Sequence, residues 1–261
     1  MKHNIVISFL AVLFVTVSTA YAGESVSFNG TDKAGEPLVL KGILNKPQGK
    51  GPFPAIVMLS GGKGWNEAWD NWIERFVKWG YVTLQVQTLA SRGLSDIFEG
   101  GGGVGTGVSP RVAAQDAHDA KTYVSSLQYV DGKRVALIGW YFGGWAVPYA
   151  IDPSAPIRNR STPFTAAIAF DPLCDQPLMG FDAPLLILHG ELDDWHSVSR
   201  CRIIEGRCEH EIILKIYPGA YMCFDLEGVD GEIQGHRMLY NPTAAADAVE
   251  KVKRFLAKHE K

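Results

Sequence analysis

The hydrophobic and polar positions of this chain fall into blocks whose period changes along its length. Leu38, Leu40 and Gly42 alternate with polar neighbours. With residues 25–28 they predict an opening antiparallel hairpin that ends at Asn45. Residues 46–54 are rich in Pro, Gly and Lys, which is turn chemistry. Residues 55–59 form an unbroken apolar run, the signature of a strand buried on both faces. Trp72, Ile73, Phe76 and Val77 then recur at helical spacing within 65–79, and Gly80 stands where a C-cap glycine belongs. A strand over 81–86, an amphipathic helix over 111–128 and strands over 166–170, 185–188 and 212–217 follow. A helix over 242–257 closes the chain, with Asn241 as N-cap and Pro242 at its first position. Strands alternating with helices predict a single α/β domain with a doubly wound, mostly parallel sheet and its site at the strand C-terminal ends.

Two stretches stand apart. Residues 88–110 carry Gly100 to Gly103 in a row, then Gly105 and Gly107. This run follows no strand directly and lacks the Lys-Ser/Thr ending of a phosphate-binding loop, so it reads as a surface loop. The other is Val135-Ala-Leu-Ile-Gly-Trp-Tyr-Phe-Gly-Gly144, a buried strand that meets a glycine-bracketed turn and continues as a helix over 145–150. Strand, sharp turn and helix make a nucleophile elbow, in which small residues flank a central side chain held in a strained conformation. The centre of such an elbow is Ser or Cys; here it is Tyr141.

Composition adds an address. With 46% hydrophobic and 20% charged residues the chain is ordinary for a globular protein, and its net charge of −3 without a basic run speaks against a nucleic-acid surface. Lys2 and His3 precede an apolar run over 5–17 and an Ala20-Tyr21-Ala22 cleavage signal. Residues 1–22 therefore read as a signal peptide, and 23–261 as an exported, periplasmic or secreted, domain with no stable membrane association after cleavage. Export makes Cys174, Cys201, Cys208 and Cys223 disulfide candidates. Three pairings are open. Cys174–Cys201 is the first choice, because both follow strand C-terminal ends.

Several separated segments together resemble the dienelactone hydrolase family of the α/β-hydrolases, in particular its exported bacterial members. They are Gly51-Pro-Phe-Pro-Ala-Ile-Val57, Ile138-Gly-Trp-Tyr-Phe-Gly-Gly144, Leu185-Leu-Ile-Leu-His-Gly-Glu-Leu-Asp-Asp-Trp195, Tyr217-Pro-Gly-Ala-Tyr221 with Phe224-Asp225, and Gly235-His-Arg237. The resemblance implies an α/β-hydrolase fold and a carboxylic-ester or lactone hydrolase with a nucleophile–His–acid triad. Asp193 matches the acid. Tyr141 occupies the nucleophile position and Met222 the His position, and Ser60-Gly61 stands where His-Gly opens the oxyanion loop. The backbone N–H groups of Phe142, Gly61 and Gly62 are the oxyanion candidates.

A phenol ionises near pH 10 and has no base here to take its proton, so the triad is incomplete. The leading expectation is a pseudo-hydrolase that binds a small ester-, lactone- or carboxylate-type ligand. A working hydrolase with a relocated Cys223/His196 dyad is the alternative, and a protein-interaction module the third reading. Arg92 beside the glycine-rich loop is a candidate substrate-binding residue. No histidine pair has metal-ligand spacing along the chain, so no metal and no cofactor are expected. The partner class is a small molecule, with no nucleic acid; a protein partner is left open.

Overall fold

The alternating residues of the first two strands pair as predicted: β1 (Glu24–Thr31) and β2 (Pro37–Asn45) are antiparallel, with Phe28 opposite Leu40. In the computed structural model, residues 23–98, 106–174, 180–202 and 210–260 are described. The predicted leader over 1–22, the glycine run at 100–105 and Cys208 lie outside them.

Strand β2 pairs antiparallel with β4 (Val82–Val86), and from there the sheet is parallel. Its order is β1-β2-β4-β3-β5-β6-β7-β8, with β3 at Phe53–Leu59, β5 at Val130–Trp140, β6 at Ala167–Phe170, β7 at Leu185–Gly190 and β8 at Ile212–Tyr217. The period of two along a strand divides the core into layers. Val57, Leu59, Val135, Leu137, Ala169 and Ile187 face α2 (Pro110–Ser125) and α3 (Phe142–Ile151). Ile56, Met58, Ile138, Trp140, Phe170 and Leu188 face α1 (Asp70–Lys78) and the closing helix. Because both faces are covered, these strands are apolar throughout, which is why they read as runs rather than alternations.

Predicted and observed boundaries differ in instructive places. The helix expected over 65–79 begins as a 3-10 turn, Glu67–Trp69, capped by the Asn66 side chain, and only then becomes α1. Gly80 follows it at φ +94°, the left-handed cap that its position predicts. Ser109 caps α2 and places Pro110 at its first turn. A short α4 (Val198–Cys201) follows β7, and Asn241 caps α5 (Pro242–His259) by accepting from the Ala244 N–H. A hairpin of β9 (Asp230–Ile233) and β10 (His236–Leu239) was not expected from the sequence, since only four residues alternate in each strand. Among the described residues, no helix is long and apolar enough to cross a membrane.

Candidate functional site

The elbow is built, and its glycines are sterically required. Tyr141 sits between β5 and α3 at φ 53°, ψ −106°, a region that side-chain-bearing residues seldom adopt. A Cβ on Gly139 would fall 2.2 Å from the Gly143 carbonyl oxygen, and one on Gly143 2.5 Å from that of Leu59. Strand, turn and helix therefore pack backbone to backbone. Phe142 opens α3, so its N–H has no partner within the helix.

The phenol that this elbow presents is committed elsewhere. Tyr141 Oη donates to Asp225 Oδ1 at 3.2 Å, and the indole N–H groups of Trp72 and Trp140 both donate to Asp225 Oδ2 at 2.8 Å. Burial pushes the Asp225 carboxyl up to about 6, against the lowering effect of these three donors. Burial first, and then the charge of Asp225, holds the Tyr141 phenol well above its ordinary range. Tyr141 is thus a hydrogen-bond donor in a satisfied buried network. Sequence reasoning gave Asp225 no role; its only signal was an acid set between Phe224 and Leu226, three positions beyond the vacated base slot.

Above the elbow opens a cavity of about 230 Å³. Its walls are mostly apolar: Trp69, Trp145, Phe98 stacked on Trp195 at 5.5 Å, and Met222, Leu226, Val229, Ile233 and Met238. The unexpected hairpin supplies part of that last wall, with the Leu239 N–H bound to the Met222 carbonyl. Met222, expected at the His position, is thus a buried thioether on the cavity wall. Gly61 and Phe142 line the cavity; the carbonyl of Gly62 accepts from the Ile97 N–H, and its Cα backs on to the Ile97 side chain. Lys63, Asn66 and His196 are its polar contributors.

Asp193, the residue that the resemblance matches to the acid, stands without a partner for one of its oxygens among the described residues. Asp193 lies just beyond β7 with Oδ1 accepting from the N–H groups of Trp195 and His196, both at 2.9 Å. Its Oδ2 is buried with no hydrogen-bond partner among the described residues. His196 Nδ1 stands 3.7 Å from that oxygen, and His189 Nε2 4.0 Å from it. Burial raises Asp193 to about 6 and lowers His196 to about 4. Asp171, at the end of β6, accepts from the N–H groups of Gly190 and Cys223 and is pushed well above the carboxylate range by burial and by Asp193. One donor atom from each of Asp171, His189 and Asp193 lies within 4.8 Å of the other two. The expectation of no metal-ligand cluster therefore needs correction: three loops and strand ends bring together residues that sequence spacing keeps apart.

The proposed dyad residues are neighbours of the cavity but differently engaged. Cys223 and His196 both line it, yet burial holds the Cys223 thiol well above its ordinary range and Tyr141 is its side-chain partner. Cys223 itself adopts φ +65°, a conformation usually left to glycine. Arg92, expected at the pocket mouth, is a correction. It grips the buried Asp116 through both guanidinium nitrogens at 2.8 Å and donates to the Thr88 carbonyl, outside the cavity lining. A buried carboxylate needs such a partner, and the sequence does not show that Asp116 is buried. The Cys174–Cys201 disulfide is formed, with Cα atoms 4.9 Å apart, and ties the loop after β6 to α4; Cys223 is free and buried.

Known proteins share this architecture. A Synechocystis sp. candidate carboxymethylenebutenolidase is 26% identical over 84% of this chain and 91% of its own. The fold matches that of a dienelactone hydrolase-like promiscuous phosphotriesterase from metagenomic libraries, with a TM-score of 0.72, 20% identity, and coverage of 92% of this chain and 100% of the other. It also matches a thermophilic esterase from Thermogutta terrifontis, with a TM-score of 0.66, 18% identity, and coverage of 92% and 95%. The profile of the dienelactone hydrolase family matches residues 40–260, so this chain, an α/β-hydrolase fold with a tyrosine at its elbow, belongs to that family.

Proposed function

We propose that this protein is a ligand-binding member of its family that does not turn over esters by the nucleophile–His route. The observation that carries this reading is the pair of substitutions in three dimensions. Tyr141 Oη is spent on Asp225, and the base position is the buried Met222 on the cavity wall. Loss of either a triad nucleophile or its base costs about 10⁶-fold in turnover, and a second loss adds little because the two act as a unit. What persists is a binding site: an aromatic and methionine-lined cavity whose lining includes Gly61 and Phe142, the first residue of α3. Their backbone N–H groups favour a carbonyl or carboxylate oxygen, and the walls favour a compact apolar body.

Purified mature protein tests this directly. A panel of small aromatic esters, lactones and carboxylates should quench or shift the fluorescence of the cavity tryptophans, while activated esters are hydrolysed no faster than in buffer. A serine-directed phosphonate should leave position 141 unlabelled, whereas Tyr141→Ser combined with Met222→His should gain ester cleavage. Enzymatic hydrolysis by the native chain would overturn the reading. In that event Cys223→Ala and His196→Ala decide whether a relocated dyad is responsible, and Tyr141→Phe whether the phenol takes part. The address is proposed with it: export should leave Gly23 as the first residue by mass spectrometry, and a mature chain that begins at Met1 refutes it.

A further inference from the structure

A second cavity, of about 230 Å³, shares no lining residue with the one above the elbow. It lies where the end of β1, the start of α2 and the loop after α3 meet, and Lys33, Arg111 and Arg158 each bring a cation to it. Among the described residues, none of these three cations makes an ion pair. Asp32 is the carboxylate of the same lining, and it spends Oδ1 on the N–H groups of Ala34 and Glu36, both at 2.8 Å. The lining therefore carries two more positive charges than negative ones. Cations gathered on one concave surface repel one another and concentrate an anion there.

The cations are set in place by the fold. Gln115, only 7% exposed, accepts from the Arg158 N–H at 2.7 Å and donates to the Arg158 carbonyl at 2.8 Å, so a buried amide of α2 clamps the backbone of that residue from both sides. The Arg158 guanidinium packs on Gly35, where a Cβ would fall 2.8 Å from Nη1. Lys33 reaches across to Gly107, its Nζ 3.0 Å from where a Cβ would stand. Arg111 lies over the Tyr149 ring with Cζ 5.4 Å from the centroid; stacking occupies the face of a guanidinium and leaves its in-plane N–H groups to donate. The Thr31 N–H bond to Asp119 Oδ2, at 2.9 Å, fastens the end of β1 to α2 and so fixes the distance across the cavity.

We propose that this cavity binds a phosphate group, as the free ion or as a phosphomonoester. Such a group carries a charge of about −1.5 to −2 at pH 7 and presents three strong acceptor oxygens, which meets the charge excess of the lining. Arg and Lys side chains have donors and no acceptor, and a guanidinium fork engages two phosphate oxygens at once. Ser109, also in the lining, accepts from the Val112 N–H through Oγ and still has its own proton to give. A carboxylate, with a single charge, leaves part of this excess unmet. The inference does not depend on the ligand-binding reading of the elbow cavity; either can fail while the other stands.

The test titrates untagged, full-length mature protein with inorganic phosphate, glycerol 2-phosphate and acetate in a phosphate-free buffer at constant ionic strength, by calorimetry and by NMR amide shifts. Saturable binding of one phosphate per chain is expected, with shifts at Lys33, Arg111 and Arg158 and with acetate much weaker. Tighter binding of glycerol 2-phosphate assigns the site to phosphomonoesters, and tighter binding of inorganic phosphate assigns it to the free ion. Arg111→Gln and Arg158→Gln change exposed side chains and keep the Gln115 clamp on the backbone, so both should fold, which circular dichroism checks. Each should weaken phosphate binding by roughly tenfold or more, the loss that goes with a charged hydrogen bond. Four results overturn the proposal. One is the absence of saturable binding, and another is binding that both arginine variants leave unchanged. A third is acetate binding as tight as that of phosphate. The fourth is binding that Lys63→Gln abolishes while the arginine variants keep it, which would place the anion in the elbow cavity.

Discussion

Asp225 offers the sharpest test of how the elbow is held, because two substitutions at one position separate its charge from its hydrogen bonds. Its carboxyl rises from 3.8 to about 6 in the folded protein, chiefly through burial. At about 1.4 kcal/mol per pH unit, that shift is an ionisation cost of roughly 3 kcal/mol to the folded state. A raised carboxyl pKa means that the native state binds the proton more tightly than the unfolded chain. Stability from this group is therefore fully present below about pH 4 and is lost as pH rises through about 6. Burial keeps Tyr141, Tyr217 and Cys223, which feel its charge, protonated across this window, and also raises Asp171, a nearby carboxyl that feels it too.

Asp225→Asn keeps one oxygen for the two indole donors, and its amide turns toward Tyr141 Oη, which can accept. It should match wild type near pH 4 and exceed it by up to about 3 kcal/mol near pH 8. Asp225→Ala strands two buried indole N–H groups at about 1–3 kcal/mol each, so it should lose roughly 2–6 kcal/mol at the lower pH. Urea unfolding of the three proteins at both pH values, under non-reducing conditions, gives the differences directly. An Asn variant whose stability runs parallel to wild type with pH refutes the raised pKa. An Asn variant as damaged as the Ala variant at low pH refutes the hydrogen-bond assignment.

Two further predictions concern the scaffold. The Cys174–Cys201 bridge spans a sequence separation of 27, and a loop of that size implies about 3.5 kcal/mol of stabilisation through the unfolded chain; Cys174→Ser/Cys201→Ser should lower the urea midpoint accordingly, and an unchanged midpoint refutes the contribution. Arg92→Ala should destabilise the fold by about 3–5 kcal/mol because it leaves the buried Asp116 unpaired, with no change in ligand affinity; weakened binding by a normally stable variant would return Arg92 to the site.

Much of the fold was legible in the chain because local periodicity and burial coincide in it. Residues 55–59, 135–140 and 185–188 are apolar without interruption since helices cover both faces of the sheet, and the caps at Gly80 and Asn241 mark where helices end or begin. The elbow was equally legible, because Gly139 answers a steric demand made by Gly143 within the same turn, even though Gly143 is itself crowded by the distant Leu59 carbonyl.

Contacts across the chain were decided only in three dimensions. Nothing near Tyr141 in sequence announces Asp225, which lies 84 positions away and reaches it because the loop after β8 returns over the end of β5. Arg92 faces Asp116 for a similar reason: the partner's burial depends on how α2 packs, and one strand of sequence carries no measure of that. Asp171, His189 and Asp193 follow no spacing rule, yet the parallel order of β6 and β7 gathers them at the strand ends. Local pattern determines which elements form and where they turn. Which distant polar groups must satisfy one another is settled by packing, because the cost of an unpaired buried group exists only once water has been excluded.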